Sequence, residues 1–256
     1  MPRRGAGDER SIGGDQVEGR NAVRELLRAG RRRVREVWIS ETRGSRVLDE
    51  IRRLAADARV PVREVDHEAL RARAKSEAPQ GVLAVAPPVE VVSLDALTHD
   101  PAAFLIVLDG VTDPGNLGAV LRSAETAGAT GIVLPRHRSA RLSPAAVKAA
   151  AGAVEYLPIA TVAGVPSALE QLRRAEVWSV GLEAGAPSSI FDLGVVEGPV
   201  AVVLGAEGGG LTRLTRERCD VLASIALHGR IESLNVATAA AVACHAVAQR
   251  RASRQR

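Results

Sequence analysis

The chain has 256 residues, a formal net charge of +4, 46% hydrophobic content and only 2% aromatic content. That length suits one large domain or an ordinary domain with a smaller appendage, around a core of Ala, Val and Leu. The sequence holds no run of about eighteen apolar residues and begins basic and polar, so a soluble cytoplasmic protein with no membrane segment is expected.

In chain order, residues 1–15 are rich in Gly, Arg and Asp and read as a disordered basic tail. Residues 16–88 alternate helix and strand over a compact N-terminal domain. The pattern predicts a helix near Gly19 to Ala29, a strand Glu36 to Ile39 and a helix Arg46 to Ala58. A strand Val62 to Val65, a helix after Asp66 and a strand Gly81 to Ala86 follow. Pro87-Pro88 stop both helix and ladder, and residues 89–101 read as a linker.

The region 102–250 opens on Phe104 to Leu108, an unbroken apolar run of the kind buried on both faces of a sheet. Similar runs recur at Gly131 to Leu134, Leu157 to Ala160, Val177 to Gly181, Val200 to Leu204 and Val221 to Leu227. With helical stretches between most of them, the fold class is α/β with a mostly parallel sheet. Residues 251–256 read as a second basic tail.

Arg20, Arg24, Arg28, Arg31, Arg32, Arg33 and Arg35 crowd the first helix and its exit, and Arg250, Arg251, Arg254 and Arg256 close the chain. A solvated helix face explains any single run, while the sum fits a polyanionic partner. Cys219 and Cys244, and His67, His99, His137, His228 and His245, lack metal-site spacing, and no metal is expected.

Asn116 follows a turn-rich loop and reads as the N-cap of a helix Leu117 to Ala127. That helix buries Leu117, Val120, Leu121 and Ala124, so Arg122 points away, its fork leaning back over Gly118 toward the loop of Asn116. A cation aimed at the positive end of a helix calls for an anion, which sets an anion-binding Arg122 against a merely solvated one. The loop Leu204 to Gly210 lacks the Gly-Lys-Ser/Thr of a P-loop, and Arg213 stands where a third Rossmann glycine belongs. It leaves Glu207 either solvated on a tight turn or facing a substrate or an arginine. Ser233 and Asn235 bracket the start of the last helix, Val236 to about Ala248, with Ser233 as N-cap. That helix is apolar on nearly every side, so it is expected to be buried, in part against a second subunit.

Asn116 followed after five residues by Arg122, then Leu204-Gly205-Ala206-Glu207-Gly208, then Ile225 followed after eight residues by Leu234-Asn235-Val236 resemble the three motifs of the SpoU (TrmH) family of RNA ribose 2′-O-methyltransferases in the SPOUT superfamily. Upstream, Val17 to Val23 and Gln80-Gly81-Val82 resemble the small substrate-binding domain of its ribosomal RNA members. The resemblance implies a C-terminal domain with a deep trefoil knot, S-adenosylmethionine as cofactor, a homodimer and ribosomal RNA as partner. It also implies cofactor contacts at Gly205, Ile225 and Leu234, with Leu204 and Leu227 beside them. Arg122 is implied near the substrate ribose and phosphate, with Asn116, Glu207, Ser233 and Asn235 completing the catalytic site. The family's usual Ile-Pro-Met reads Ile225-Ala226-Leu227 here, and Ala237 replaces the usual Ser.

The expected activity is thus methylation of a ribose 2′-hydroxyl in 23S ribosomal RNA. Transfer RNA methylation is one alternative, against which the upstream domain argues. A catalytically inactive RNA-binding or ribosome-assembly protein is another, against which Asn116, Arg122, Glu207 and Asn235 argue.

Overall fold

The computed structural model describes residues 11–40 and 45–254. In chain order the elements are β1 (Ser11–Ile12), β2 (Gln16–Glu18), α1 (Arg20–Ala29), β3 (Glu36–Ser40), α2 (Arg46–Asp57), β4 (Val62–Val65), α3 (His67–Arg73), β5 (Val82–Val85) and β6 (Val89–Glu90). There follow β7 (Phe104–Asp109), α4 (Pro114–Thr126), β8 (Gly131–Pro135), α5 (Pro144–Ala149), β9 (Ile159–Val162), α6 (Val165–Arg174) and β10 (Trp178–Leu182). The chain continues through β11 (Ser188–Ser189), β12 (Val200–Gly205), α7 (Arg213–Arg218), β13 (Val221–Ser224) and α8 (Val236–Arg254). Among the described residues no helix is long and apolar enough to cross a membrane.

Contacts divide the chain into two units, Met1–Val91 with Arg141–Tyr156, and Val92–Ala140 with Leu157–Arg256. The first is built on a four-stranded sheet ordered β2-β5-β3-β4, antiparallel except for the β3–β4 pair. Helix α1 turns Ala22, Val23, Leu26 and Leu27 inward, the spacing of one helical face, and packs beside α2, which buries Leu48, Ile51 and Ala55. Side chains cap α2 and α3: Ser45 accepts from the Leu48 amide, and Asp66 from the Ala69 amide.

The segment 141–156 joins this unit through a buried ion pair of Arg32 with Glu155, whose side chains are 8% and 2% exposed. Arg32 also donates to the Pro87 carbonyl at 3.0 Å. Tyr156 Oη donates to Glu25 at 2.8 Å, and Lys148 Nζ to the Ala78 carbonyl at 2.6 Å. The backbone passes so close to α1 that a Cβ on Gly152 would lie 2.3 Å from that of Glu25.

The second unit is a seven-stranded sheet, parallel throughout, ordered β11-β13-β10-β12-β7-β8-β9. Strand β12 lies between β7 and β10, pairing Val200 with both Phe104 and Trp178. On one face Leu105, Val107, Ala201 and Val203 pack with Ala168, Leu169 and Leu172 of α6. Alternation along a strand sends Ile106, Leu108, Val202 and Leu204 to the other face, where α8 crosses β12 and packs on α4.

Four expectations from sequence are corrected here. Residues 11–15 are not a free tail, because Ser11 and Ile12 pair with Glu90 and Val89 in the stretch read as linker; residues 1–10 lie outside the described ones. Helix α4 begins at Pro114, and its cap is Asp113, which accepts from the Asn116 amide at 2.7 Å, so Asn116 is not the cap. Proline suits the first helical position because its missing N–H would have had no partner there. The cap of α8 is Asn235 rather than Ser233: its Oδ1 accepts from the Ala237 amide at 2.9 Å. Finally, α8 runs on through Arg250 and Arg251 to Arg254, and residues 255–256 lie outside the described ones. Arg251 is no tail residue, since its guanidinium donates to the carbonyls of Val196, Ala102 and Ala103 and lies over the Phe104 ring.

Candidate active site

Three loops leave the carboxyl ends of neighbouring strands β10, β12 and β13 and enclose a cavity of about 300 Å³. Ligands in open parallel sheets bind at this edge, where loops diverge and the strand ends present free backbone groups. Leu204, Gly205, Ile225, Leu227 and Leu234, the five residues implied as cofactor contacts, all line this one cavity, together with Glu207 and Ser233.

The glycine loop is a pinched hairpin. Ala206 and Gly210 exchange both backbone hydrogen bonds at 2.9 Å, leaving Glu207 at the tip. A Cβ on Gly205 would stand 2.1 to 2.3 Å from backbone atoms of Gly210 and Leu211, so no side chain fits there. Beyond the hairpin the Thr212 amide donates to the buried Asp109 carboxylate at 2.8 Å, tying the loop's exit to the end of β7.

Glu207 meets two asparagines rather than the arginine that was one sequence-based expectation. Asn116 Nδ2 donates to Glu207 Oε2 at 3.0 Å, and Asn235 Nδ2 donates both to Glu207 Oε1 and to Asn116 Oδ1 at 3.1 Å. The helix cap sets this geometry. With Oδ1 of Asn235 turned to the free amides of α8, its Nδ2 has only the outward direction left, toward Glu207. Glu207 is exposed and its partners are neutral. A carboxylate offers about four acceptor sites, so capacity for a further donor is kept.

Arg122 stands apart from this cluster. It lies six residues beyond Asn116 on α4, about 120° away around the helix. It is exposed, and its guanidinium makes no hydrogen bond or ion pair among the described residues. Ser233 is exposed on the cavity wall and does not join the Asn116–Glu207–Asn235 ring.

Sequence reasoning missed Glu183, which follows β10 and lines the same cavity. Its Oε1 pairs with Arg216 at 2.8 Å, while Oε2 is buried without a hydrogen-bond partner among the described residues. The available signal was positional: like Glu207, it is a carboxylate just past the carboxyl end of a buried parallel strand. The base of that strand is braced by Asp220, whose carboxylate accepts from the Ser179 amide at 2.9 Å, the Ser179 hydroxyl at 2.6 Å and Arg173 at 2.7 Å. Burial alone would raise the Asp220 pKa, but these Ser179 and Arg173 contacts outweigh it and hold the carboxyl below its ordinary value.

In the first unit, the two stretches singled out upstream meet. The Arg20 amide and guanidinium donate to the side chain and carbonyl of Gln80 at 3.1 and 3.0 Å, and the Gly19 amide to the Val82 carbonyl at 3.3 Å.

Residues 103–245 match the SpoU rRNA Methylase family, and residues 16–92 match RNA 2′-O ribose methyltransferase substrate binding. The chain is 38% identical over 246 residues to the 23S rRNA (guanosine-2′-O-)-methyltransferase RlmB of Pseudomonas putida, covering 94% of this chain and 98% of that protein. It is 39% identical over 241 residues to the RlmB of a Burkholderia species, covering 93% and 97%. The solved SpoU methyltransferase AviRb from Streptomyces viridochromogenes, in complex with the cofactor AdoMet, superposes with a TM-score of 0.78 at 25% identity, over 93% of this chain and 90% of that one. The A. aeolicus TrmH/SpoU tRNA modifying enzyme shares the fold at a TM-score of 0.53 and 16% identity, over 63% of this chain and 84% of its own.

Proposed function

This chain belongs to the SpoU rRNA methylase family, and from that premise we propose that it methylates a ribose 2′-hydroxyl in 23S ribosomal RNA, the substrate named for its relatives. The observation that carries the reading is the ring of Asn116, Glu207 and Asn235. Three elements distant in sequence bring these side chains together where the cavity-lining loop presents Glu207.

The residues present suit S-adenosylmethionine, the methyl donor of the family. The cavity is small, in the lower range of small-molecule sites, with aliphatic walls at Leu204, Ile225, Leu227 and Leu234 and an unpaired carboxylate oxygen at Glu183. Gly205, Ile225 and Leu234 would hold the cofactor, with Leu204 and Leu227 beside it. When bound, it supplies a methyl group on a sulfonium centre, an electrophile whose leaving group departs uncharged.

A ribose hydroxyl is a weak nucleophile, so the protein's task is to align it and ease the loss of its proton. Arg122, a fixed cation whose guanidinium has no partner among the described residues, holds the RNA phosphate and assists deprotonation by stabilising the developing negative charge on the 2′-oxygen. Asn116, Asn235 and Ser233 orient the ribose, and Glu207 accepts from its hydroxyls. The 2′-oxygen gains the methyl carbon and its proton passes to solvent. The match of residues 16–92 to RNA 2′-O ribose methyltransferase substrate binding, with relatives over most of the chain named for 23S rRNA, favours ribosomal over transfer RNA.

We place the active form in the cytoplasm as a homodimer. Ala237, Ala239, Ala241, Val242 and Ala246 of α8 remain only half-buried within one chain, an apolar surface suited to a second copy. Sedimentation at micromolar concentration checks this, and a monomer would count against it.

Ribose-methylation mapping of ribosomal and transfer RNA from cells with and without the protein tests the activity. One missing 2′-O-methyl in 23S RNA is expected on deletion. A loss confined to transfer RNA, or no loss at all, would sink the reading. Arg122→Ala is expected to lower methyl transfer at least about tenfold while RNA still binds, the loss of one charge-assisted contact; near-normal transfer would remove Arg122 from the chemistry.

A further inference from the structure

The ring around Glu207 leaves Glu183 unexplained. Its two carboxylate oxygens have different surroundings: Oε1 is paired with Arg216, and Oε2 is buried in the cavity wall with no donor among the described residues. Gly210 stands beside it, where an added Cβ would lie 3.7 Å from Oε2. Buried polar atoms are nearly always satisfied, and an orphan acceptor in a ligand cavity is accounted for by a donor that arrives with the ligand. This inference rests on S-adenosylmethionine being the cofactor.

That molecule offers three kinds of donor. The α-ammonium carries its own carboxylate beside it, which Glu183 would repel. The adenine amino group stands next to the N1 lone pair, an acceptor facing an acceptor. The ribose 2′- and 3′-hydroxyls are donors with no adjacent negative charge, and a carboxylate whose charge is already partly balanced by Arg216 matches them. We propose that Glu183 Oε2 accepts a hydrogen bond from the ribose hydroxyls of S-adenosylmethionine, making it a binding residue that positions the methyl donor.

Calorimetry with S-adenosylhomocysteine and its 2′-deoxy and 3′-deoxy analogues tests this without turnover. The wild-type protein is expected to bind at least one deoxy analogue about tenfold more weakly than the parent, the effect of one hydrogen bond to a charged group. Glu183→Ala is expected to bind the parent about tenfold more weakly and to be indifferent to the missing hydroxyl. Arg216→Ala removes the ion pair but leaves the oxygen, and keeps the discrimination. If Glu183→Ala fails to fold, Glu183→Met, similar in length and without the carboxylate, takes its place.

5′-Methylthioadenosine, which lacks the amino-acid part, should lose affinity for Glu183→Ala by the same factor. An effect on S-adenosylhomocysteine alone would assign Glu183 to the ammonium and overturn the proposal. So would wild-type discrimination retained in Glu183→Ala, or no discrimination in the wild type. If the wild type binds none of these molecules, the cofactor reading itself falls, and this proposal with it.

Discussion

Glu155 and Glu207 are both glutamates held through both carboxylate oxygens, one in each unit, and they are held in opposite ways. Glu155 is buried against a buried arginine, so its charge is cancelled and its oxygens are closed to solvent. Glu207 is exposed and gripped by two neutral amides, which fix its direction without cancelling its charge. The first arrangement joins segments of the fold. The second keeps a carboxylate aimed and available, at a cost that only a ligand makes worthwhile.

Substitution should separate the two. The largest expected effect on activity is at Glu207: Glu207→Ala should lower methyl transfer by about 10- to 10²-fold, the worth of a hydrogen bond from the substrate ribose to a charged acceptor, while the melting midpoint barely moves. A large loss of stability would place Glu207 with Glu155. Glu155→Ala should do the reverse. It leaves Arg32 buried without its partner, a change that costs about 3–5 kcal/mol in denaturant titration, with cofactor affinity unchanged.

Asn235 sharpens the contrast, because it serves both purposes. Asn235→Asp keeps a good helix cap, so stability should change by less than about 1 kcal/mol. It also replaces the donor facing Glu207 with a second carboxylate, so methyl transfer should fall about tenfold or more. Transfer at the wild-type rate would show that the ring is ornamental. The smallest effect is expected at Asp220. Its folded-state pKa lies below the ordinary 3.8. Its stabilising contribution is therefore present above pH 3.8 and fades as pH falls through the folded-state value. Urea midpoints for Asp220→Asn should lag the wild type more at pH 7 than at pH 3; an equal lag at both would show that the carboxylate's charge contributes nothing.

Much of the second unit was legible in the sequence because parallel strands buried on both faces read as unbroken apolar runs. Phe104 to Leu108 and Val200 to Leu204 fall within β7 and β12 nearly to the residue. The caps were less legible: Asp113 and Asn116, like Ser233 and Asn235, are pairs of good capping residues, and only the position of Pro114 decides the first pair. The run Val221 to Leu227 was read too long, since pairing with β10 ends at Ala223 and with β11 at Ser224, freeing Ile225 and Leu227 for the cavity wall. The tie between Arg32 and Glu155, 123 residues apart, and the empty side of Glu183 depend on tertiary proximity, which no periodicity encodes.

The pinch at Gly205 divides the loop into a part that cannot change and a part that can. Its closure is backbone against backbone, with no room for even one methyl group at Gly205, whereas Gly209 faces open space without a left-handed φ. The hairpin is therefore an exchangeable fingertip on a fixed knuckle. Position 209 is free to drift toward a different RNA surface, while Gly208, with its φ of 73°, and Glu207, against the two asparagines, keep their places.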